Sequence, residues 1–179
     1  MRTSPVYLSE SELERACRFE TLRRSGPGGQ NRNKVETGAR FYHLASGLVG
    51  EATERRYQIE NRKIAMRRLR LKLALSIRDV PDLTRDLNGD ATFSHPEDFV
   101  WFRRLVAGKI RASKESFDYP ILVAEFFDAY AATNEDMKST VQLLQTTSSQ
   151  IIRLLSAAPS ALTQLNNLRE SAGASKFRA

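Results

Sequence analysis

The chain has 179 residues, of which 41% are hydrophobic, so it is long enough to bury a core and too apolar to be wholly disordered. It carries 28 Lys+Arg against 21 Asp+Glu, and this net charge of +7 favours a polyanionic partner such as nucleic acid. No stretch approaches the ~18 apolar residues of a membrane span, and the single cysteine excludes an internal disulfide.

The positive charge is concentrated in the first half of the chain. Residues 1–78 contain 17 Lys+Arg and 8 Asp+Glu, whereas residues 79–179 contain 11 and 13. Pro, Gly, Asn and Asp cluster between residues 81 and 96, and the apolar residues there show neither helical nor strand periodicity. We therefore predict a basic domain at 1–80, a linker at 81–96 and a helical region at 97–179.

The basic half begins with a helix signal. Ser9 and Glu12 have the spacing of a capping box, which predicts a short helix ending near Ala16. Apolar alternation and turn residues then predict four short elements: a strand at 17–23, a helix at 31–37, and strands at 39–44 and 48–53.

A long basic helix is predicted at 58–77. Its apolar face is expected to consist of Ile59, Met66, Leu69, Leu73 and Ile77. A second face carries Lys63, Arg67 and Arg70. Between residues 55 and 72 there are eight cations and a single acid, Glu60, and such like charges repel at helical spacing. An ordinary solvated face mixes its signs, so this segment favours contact with a polyanion.

Residues 25–30, Ser-Gly-Pro-Gly-Gly-Gln, form a loop that admits backbone conformations closed to other residues. Two phosphate-binding motifs can be excluded, because Lys34 follows Asn33 instead of glycine and Asn31 stands where a dinucleotide fingerprint requires glycine. Between Thr21 and Tyr42 there is no His, Cys or Asp, so the loop holds no nucleophile with its own base.

The run from Arg23 to Ala39 resembles the catalytic loop of class I peptide chain release factors, and still more that of their small codon-independent relatives that rescue stalled ribosomes. The family motif is matched by Gly26, Gly28, Gly29, Gln30, Asn33 and Thr37. The resemblance extends over about residues 9–76, through a hairpin and the run from Glu54 to Gln58 into a basic helix.

The resemblance implies an α+β fold, in which a small mixed sheet with a long basic helix is followed by an all-α C-terminal extension. It implies ribosome-dependent, codon-independent hydrolysis of the peptidyl-tRNA ester, without a cofactor or a metal. Gly28 and Gly29 are expected to allow the turn that presents Gln30. Because only about twenty residues precede the loop, stop-codon reading is not expected.

The expected partners are large-subunit ribosomal RNA and peptidyl-tRNA, in the cytoplasm or an organellar matrix, with no membrane partner. The residues expected to contact RNA are Arg23, Arg24, Arg32, Asn33, Lys34, Arg55, Arg56, Arg62, Lys63, Arg67 and Arg70. Contacts of this kind are made mainly to phosphates, and they position the protein without reading sequence.

The second half shows helix signals. An apolar cluster at 99–106 predicts core, and Pro120 suits the first turn of a helix. Asn134 and Ser148 are predicted to cap the next two helices, and Pro159 to begin the last.

Two alternative functions stay open at this point. One is a non-catalytic module that binds ribosomal RNA or tRNA. The other is a DNA-binding protein, because the helices at 134–157 resemble a helix-turn-helix that offers Gln150 and Arg153. The net negative charge of the second half disfavours DNA binding. The sequence indicates no specific partner for this region.

Overall fold

The computed structural model describes residues 2–23 and 36–178, and it has the α+β composition that was expected. The chain divides into two compact units. The first unit is Ser4–Ser76, and the second consists of Met1–Thr3 together with Ile77–Ala179. Within the described part of the chain, no helix combines the length and the apolar character that crossing a bilayer requires.

The first unit is a three-stranded sheet covered by one long helix. Its elements are a 3₁₀ turn (Pro5–Tyr7), α1 (Glu10–Arg15), β1 (Cys17–Leu22), β2 (Gly38–His43), β3 (Val49–Ala52) and α2 (Gln58–Ser76). The strands lie in the order β1-β2-β3 and pair antiparallel, whereas a mixed sheet was expected. The capping box is confirmed, because Ser9 and Glu12 bond reciprocally at the start of α1. The helix predicted at 31–37 falls largely outside the described residues.

The core of the first unit lies between α2 and the sheet. The buried apolar residues are Val6, Leu13, Ala39, Phe41, Ala52, Ala65, Met66, Leu69, Leu73 and Ala74. The predicted apolar face of the helix is wrong at both of its ends. Ile59 is 65% exposed, because it lies in the first turn of α2, where Asn61 fills the buried side. Ile77 lies beyond Ser76, the last residue of the helix.

The second unit is mostly helical. Its elements are β4 (Leu83–Arg85), β5 (Ala91–Phe93), a 3₁₀ turn (Pro96–Asp98), α3 (Val100–Arg104), β6 (Leu105–Val106), β7 (Lys109–Ile110), α4 (Asp118–Ala132), α5 (Met137–Leu143), α6 (Ser148–Ser156) and α7 (Pro159–Ser171). The β4–β5 hairpin lies inside the segment expected to be a linker, and β6–β7 inside the region expected to be all helix. Both hairpins are only two or three residue pairs long, which apolar periodicity does not detect.

Helix α4 is the centre of the second unit, because every residue from Tyr119 to Tyr130 is buried. Its Glu125 carboxylate accepts hydrogen bonds from the backbone amides of Val100 and Trp101, both at 2.7 Å. The indole nitrogen of Trp101 donates to the carbonyl of Leu144 at 2.9 Å. The core expected at 99–106 is confirmed for Phe99, Val100 and Trp101, which are buried, and wrong for Val106, which is 52% exposed.

Two of the predicted helix caps were displaced by one or two residues. The cap of α5 is Asp136, which accepts from the amide of Ser139, whereas Asn134 lies in a turn with φ of 52°. The cap of α6 is Thr147, which accepts from the amide of Gln150. Pro159 begins α7 as predicted.

Candidate functional site

The glycine loop joins β1 to β2, and residues 24–35 lie outside the described residues. Leu22 and Gly38 are paired in the antiparallel register, so the two ends of the loop lie side by side. The predicted site residues within this segment are Gly28, Gly29, Gln30, Arg24, Arg32, Asn33 and Lys34. Their roles therefore stay predictions, and the described part of the site is the frame that carries them.

Six residues form what we call the loop base: Thr21, Arg23, Glu36, Thr37 and the two α2 residues that bond to them, Gln58 and Asn61. The Glu36 carboxylate accepts from the Thr21 hydroxyl at 2.6 Å and from Arg23 Nε at 3.1 Å. These hydrogen bonds, that of Thr21 first, lower the pKa of Glu36, so its carboxyl stays ionised at neutral pH. One carboxylate therefore links the two ends of the loop.

The start of α2 holds the end of the loop from the other side. Asn61 is fully buried, and its Nδ2 donates to the carbonyls of Thr37 at 2.7 Å and Arg55 at 3.0 Å. Its Oδ1 accepts from the amide of Arg55 at 2.9 Å, and Gln58 Nε2 donates to the carbonyl of Glu36 at 3.3 Å. The end of the loop, the segment before α2 and the helix itself are thus joined by one buried amide.

Neither Glu36 nor Asn61 was predicted to be a site residue. Their partners lie 15 and 24 residues away along the chain, at Thr21 and Thr37. No local sequence signal marks Asn61, because its neighbours Glu60 and Arg62 are both charged; as a buried amide it must be hydrogen-bonded, and its partner Thr37 lies far away along the chain.

A group of exposed cations in the described part of this unit lies beside the loop base and along α2. Arg23 keeps 72% of its side chain exposed although it pairs with Glu36. Arg55 and Arg56 precede the helix, and Lys63 and Arg67 follow at i and i+4 on its exposed face. We call Arg55, Arg56, Lys63 and Arg67 the outer cations; all four were predicted to contact RNA, and all four are exposed.

Two other predicted RNA contacts have structural partners. Arg62 forms two hydrogen bonds with the Glu14 carboxylate, at 3.2 and 2.9 Å, and its guanidinium lies 4.4 Å from the centroid of the Phe19 ring. Arg70 is only 4% exposed, and its Nη1 donates to the carbonyls of Val6 and Leu8 at 2.7 and 2.6 Å.

The prediction for Arg70 needs correction. The 3₁₀ turn at the start of the unit leaves carbonyl groups that need donors, and the long Arg70 side chain reaches them from α2. The same burial lowers the pKa of its guanidinium by desolvation. Charge periodicity placed Arg70 on the face of Lys63 and Arg67, whereas hydrogen bonding directs it inward.

Comparison with known proteins finds a family match that covers most of the first unit and the start of the second. The family model described as RF-1 domain matches residues 8–86. A "Peptide chain release factor 1" of Chloroherpeton thalassium is 38% identical over 99 residues, which are 49% of this chain and 28% of that protein. A "Peptide chain release factor homolog" of Escherichia coli is 46% identical over 56 residues, 31% of this chain and 28% of that protein.

A mitochondrial relative is similar over the same length of chain. The "Peptide chain release factor 1-like, mitochondrial" of Rattus norvegicus is 41% identical over 56 residues, 31% of this chain and 15% of that protein. The chain thus matches less than a third of the length of these curated relatives. They favour neither a purely RNA-binding nor a DNA-binding module. On the matching domain and these relatives, residues 8–86 belong to the catalytic domain family of class I peptide chain release factors.

Proposed function

We propose that this protein hydrolyses the ester of peptidyl-tRNA on the ribosome, independently of the codon, and so releases the peptide from stalled ribosomes. The loop base is the observation that carries the proposal. A frame that links both ends of a glycine loop to a helix suits a loop that must deliver a small group to a distant reaction centre. Such a protein would act wherever ribosomes are, in the cytoplasm or an organellar matrix.

The charges of the first unit support a partner made of RNA. The outer cations Arg55, Arg56, Lys63 and Arg67 are exposed on one end and one face of α2, where phosphates would neutralise their mutual repulsion. Residues 79–179 carry more acids than bases, so the second unit is poorly suited to follow the phosphates of an mRNA. This charge division supports ribosomal binding through the first unit without codon reading.

The proposed reaction is a displacement by water. Water attacks the carbonyl carbon of the ester, the bond from this carbon to the ribose oxygen breaks, and the ribose oxygen ends protonated. The backbone N–H of Gln30 donates a hydrogen bond to the oxygen on which negative charge develops, and the Gln30 side chain positions the water. Ribosomal RNA and tRNA provide the remaining groups, so the free protein should be nearly inert on isolated esters.

A release assay tests this function with the full chain. Ribosomes carrying labelled peptidyl-tRNA in the P site are mixed with the protein, with a stop codon, a sense codon or no mRNA in the A site. We expect similar release rates in all three cases. Release confined to the stop codon would refute codon independence, and absence of release in all three would refute the function itself.

Glu36→Gln should lower the maximal rate of release about tenfold while the affinity for ribosomes changes less than twofold. The variant keeps the shape of the side chain but removes the negative charge of the carboxylate to which Thr21 and Arg23 donate. The loop is then held less accurately, and a small misplacement of a reacting group lowers the rate strongly. The measurement is the dependence of the release rate on protein concentration, which separates the maximal rate from binding.

Glu51→Gln is the matched control for this prediction. Glu51 pairs with Arg40 at 2.7 Å on the same sheet, and its side chain is similarly exposed, but its pair lies within β2 and β3. Its loss should leave the release rate unchanged. Equal rates for Glu36→Gln and the wild-type protein would show that the carboxylate has no positioning role.

A further inference from the structure

One exposed aromatic residue near the loop base has no role in the proposed chemistry. Tyr57 lies just before α2 and is 60% exposed. Its backbone is held, because its carbonyl accepts from the amides of Glu60 and Asn61, both at 3.2 Å. The ring is therefore presented to solvent by a backbone that the helix fixes, which lowers the entropy cost of binding a partner.

The surroundings of Tyr57 combine an aromatic face, a cation and an aliphatic side chain. The Arg56 guanidinium carbon lies 5.8 Å from the centroid of the Tyr57 ring. Ile59, two residues on, is 65% exposed and stands one turn before Lys63 on the helix. We call Arg56, Tyr57 and Ile59 the Tyr57 platform.

A second tyrosine of the same unit shows a different environment. Tyr42 lies in β2, where Arg18 covers its ring at 4.6 Å and Arg40 donates to its hydroxyl at 3.2 Å. Arg18 thus lies close over the Tyr42 ring, which is only partly exposed. Tyr57 has a larger exposed surface and adjoins the outer cations.

We propose that the Tyr57 platform stacks on an unpaired nucleobase of ribosomal RNA. This inference rests on the proposed function and extends it by naming a contact that reads the shape of the RNA. Aromatic rings stack on the π-faces of unstacked bases, and an adjacent arginine adds a cation–π contact and a phosphate partner. The row of Lys63 and Arg67 continues the positive surface along α2, as a strand of RNA backbone requires.

Ribosomal RNA is favoured over the tRNA terminus by the position of the platform. Gln58 bonds to the carbonyl of Glu36, so the neighbouring Tyr57 lies beside the end of the loop. Gln30, the residue proposed to reach the ester, is six residues away from Glu36 along the chain. In the proposed complex the loop base is surrounded by ribosomal RNA. We therefore assign ribosomal RNA as the partner of the platform.

Tyr57→Leu tests the platform, because it keeps an apolar side chain and removes the aromatic face. We expect it to weaken binding of the full chain to ribosomes about 5- to 150-fold, the range that loss of one stacked base gives. Tyr57→Phe and Tyr57→Trp should bind within about twofold of wild type, since both keep a ring. Tyr42→Leu is the matched control and should leave affinity unchanged, and urea unfolding midpoints verify that all variants fold.

The outcomes separate this inference from the proposed function. Equal affinities for Tyr57→Leu and wild type, or a loss for Tyr57→Phe as large as that for Tyr57→Leu, would overturn stacking. A defect seen only on ribosomes with P-site tRNA, and not on vacant ribosomes, would overturn the assignment to ribosomal RNA. Wild-type protein that binds ribosomes in a Tyr57-dependent way but releases no peptide would support the platform and refute peptide release.

Discussion

The double variant Gly28→Ala/Gly29→Ala is expected to lower the rate of peptide release at least about 100-fold, while its affinity for ribosomes stays within about twofold of wild type. Alanine adopts positive-φ conformations only at a cost in backbone strain, so a loop that turns at Gly28 and Gly29 would no longer aim the Gln30 amide at the developing negative charge. Loss of one such donor alone costs ~10²–10³ in rate. The measurement is single-turnover release at saturating protein.

Gly47→Ala is the control for a glycine substitution in the same unit. Gly47 forms the turn between β2 and β3 with φ of 69°, and an added Cβ there would meet no atom within 4 Å. The substitution should cost about 1 kcal/mol of stability from backbone strain and leave the release rate unchanged. Undiminished release by the loop variant would remove Gly28 and Gly29 from the mechanism.

Gly50→Ala should lower the free energy of unfolding of the first unit by about 3 kcal/mol or more. Gly50 lies in β3 where the strand packs against α2, and a Cβ there would stand 2.2 Å from the carbonyl oxygen of Ala65 and 2.6 Å from both the backbone nitrogen and the Cβ of Leu69. These atoms are backbone or attached to it, so no rotamer change relieves the clash. The strand and the helix would have to separate.

Urea unfolding followed by circular dichroism measures this effect. Gly89→Ala is its control, because Gly89 lies in the β4–β5 turn with φ of 82° and open space around its Cβ, so the cost should be only about 1 kcal/mol. Leu69→Ala should fail to rescue Gly50→Ala, since the closest conflict is with the Ala65 carbonyl oxygen. Equal stabilities of Gly50→Ala and Gly89→Ala would contradict the close packing of β3 on α2.

Local signals of this chain predicted the elements of the first unit well. The Ser9–Glu12 capping box acts within one turn and correctly marked the start of α1. The turn at 45–47 with its flanking alternation correctly predicted β2 and β3 as a hairpin. The basic helix predicted at 58–77 spans Gln58–Ser76. In each case the determining interactions lie within a few residues of one another.

Predictions that required knowledge of distant partners were less accurate. Periodicity assigned Ile59 to the core and Arg70 to the exposed face, whereas the carbonyls of Val6 and Leu8, 64 and 62 residues from Arg70, direct it inward. In the second unit the segment predicted to be a linker contains the hairpin at Leu83–Phe93, whose strands of three residues are too short for apolar periodicity to detect. Strands this short are specified by contacts with distant residues, because they contain too few residues to show a periodic apolar pattern.

The sequence by itself determined the glycine loop motif, the concentration of positive charge in residues 1–78, and the positions of most described helices and of the three strands of the first unit. These features follow from residue identity and from neighbours within a turn or a hairpin. The tertiary structure decided which cations face outward and which hold the fold, and it showed that Glu36 and Asn61 join the ends of the loop to α2. A side chain finds a partner across the fold only after strand register and helix packing have placed both, so no local pattern specifies that pairing.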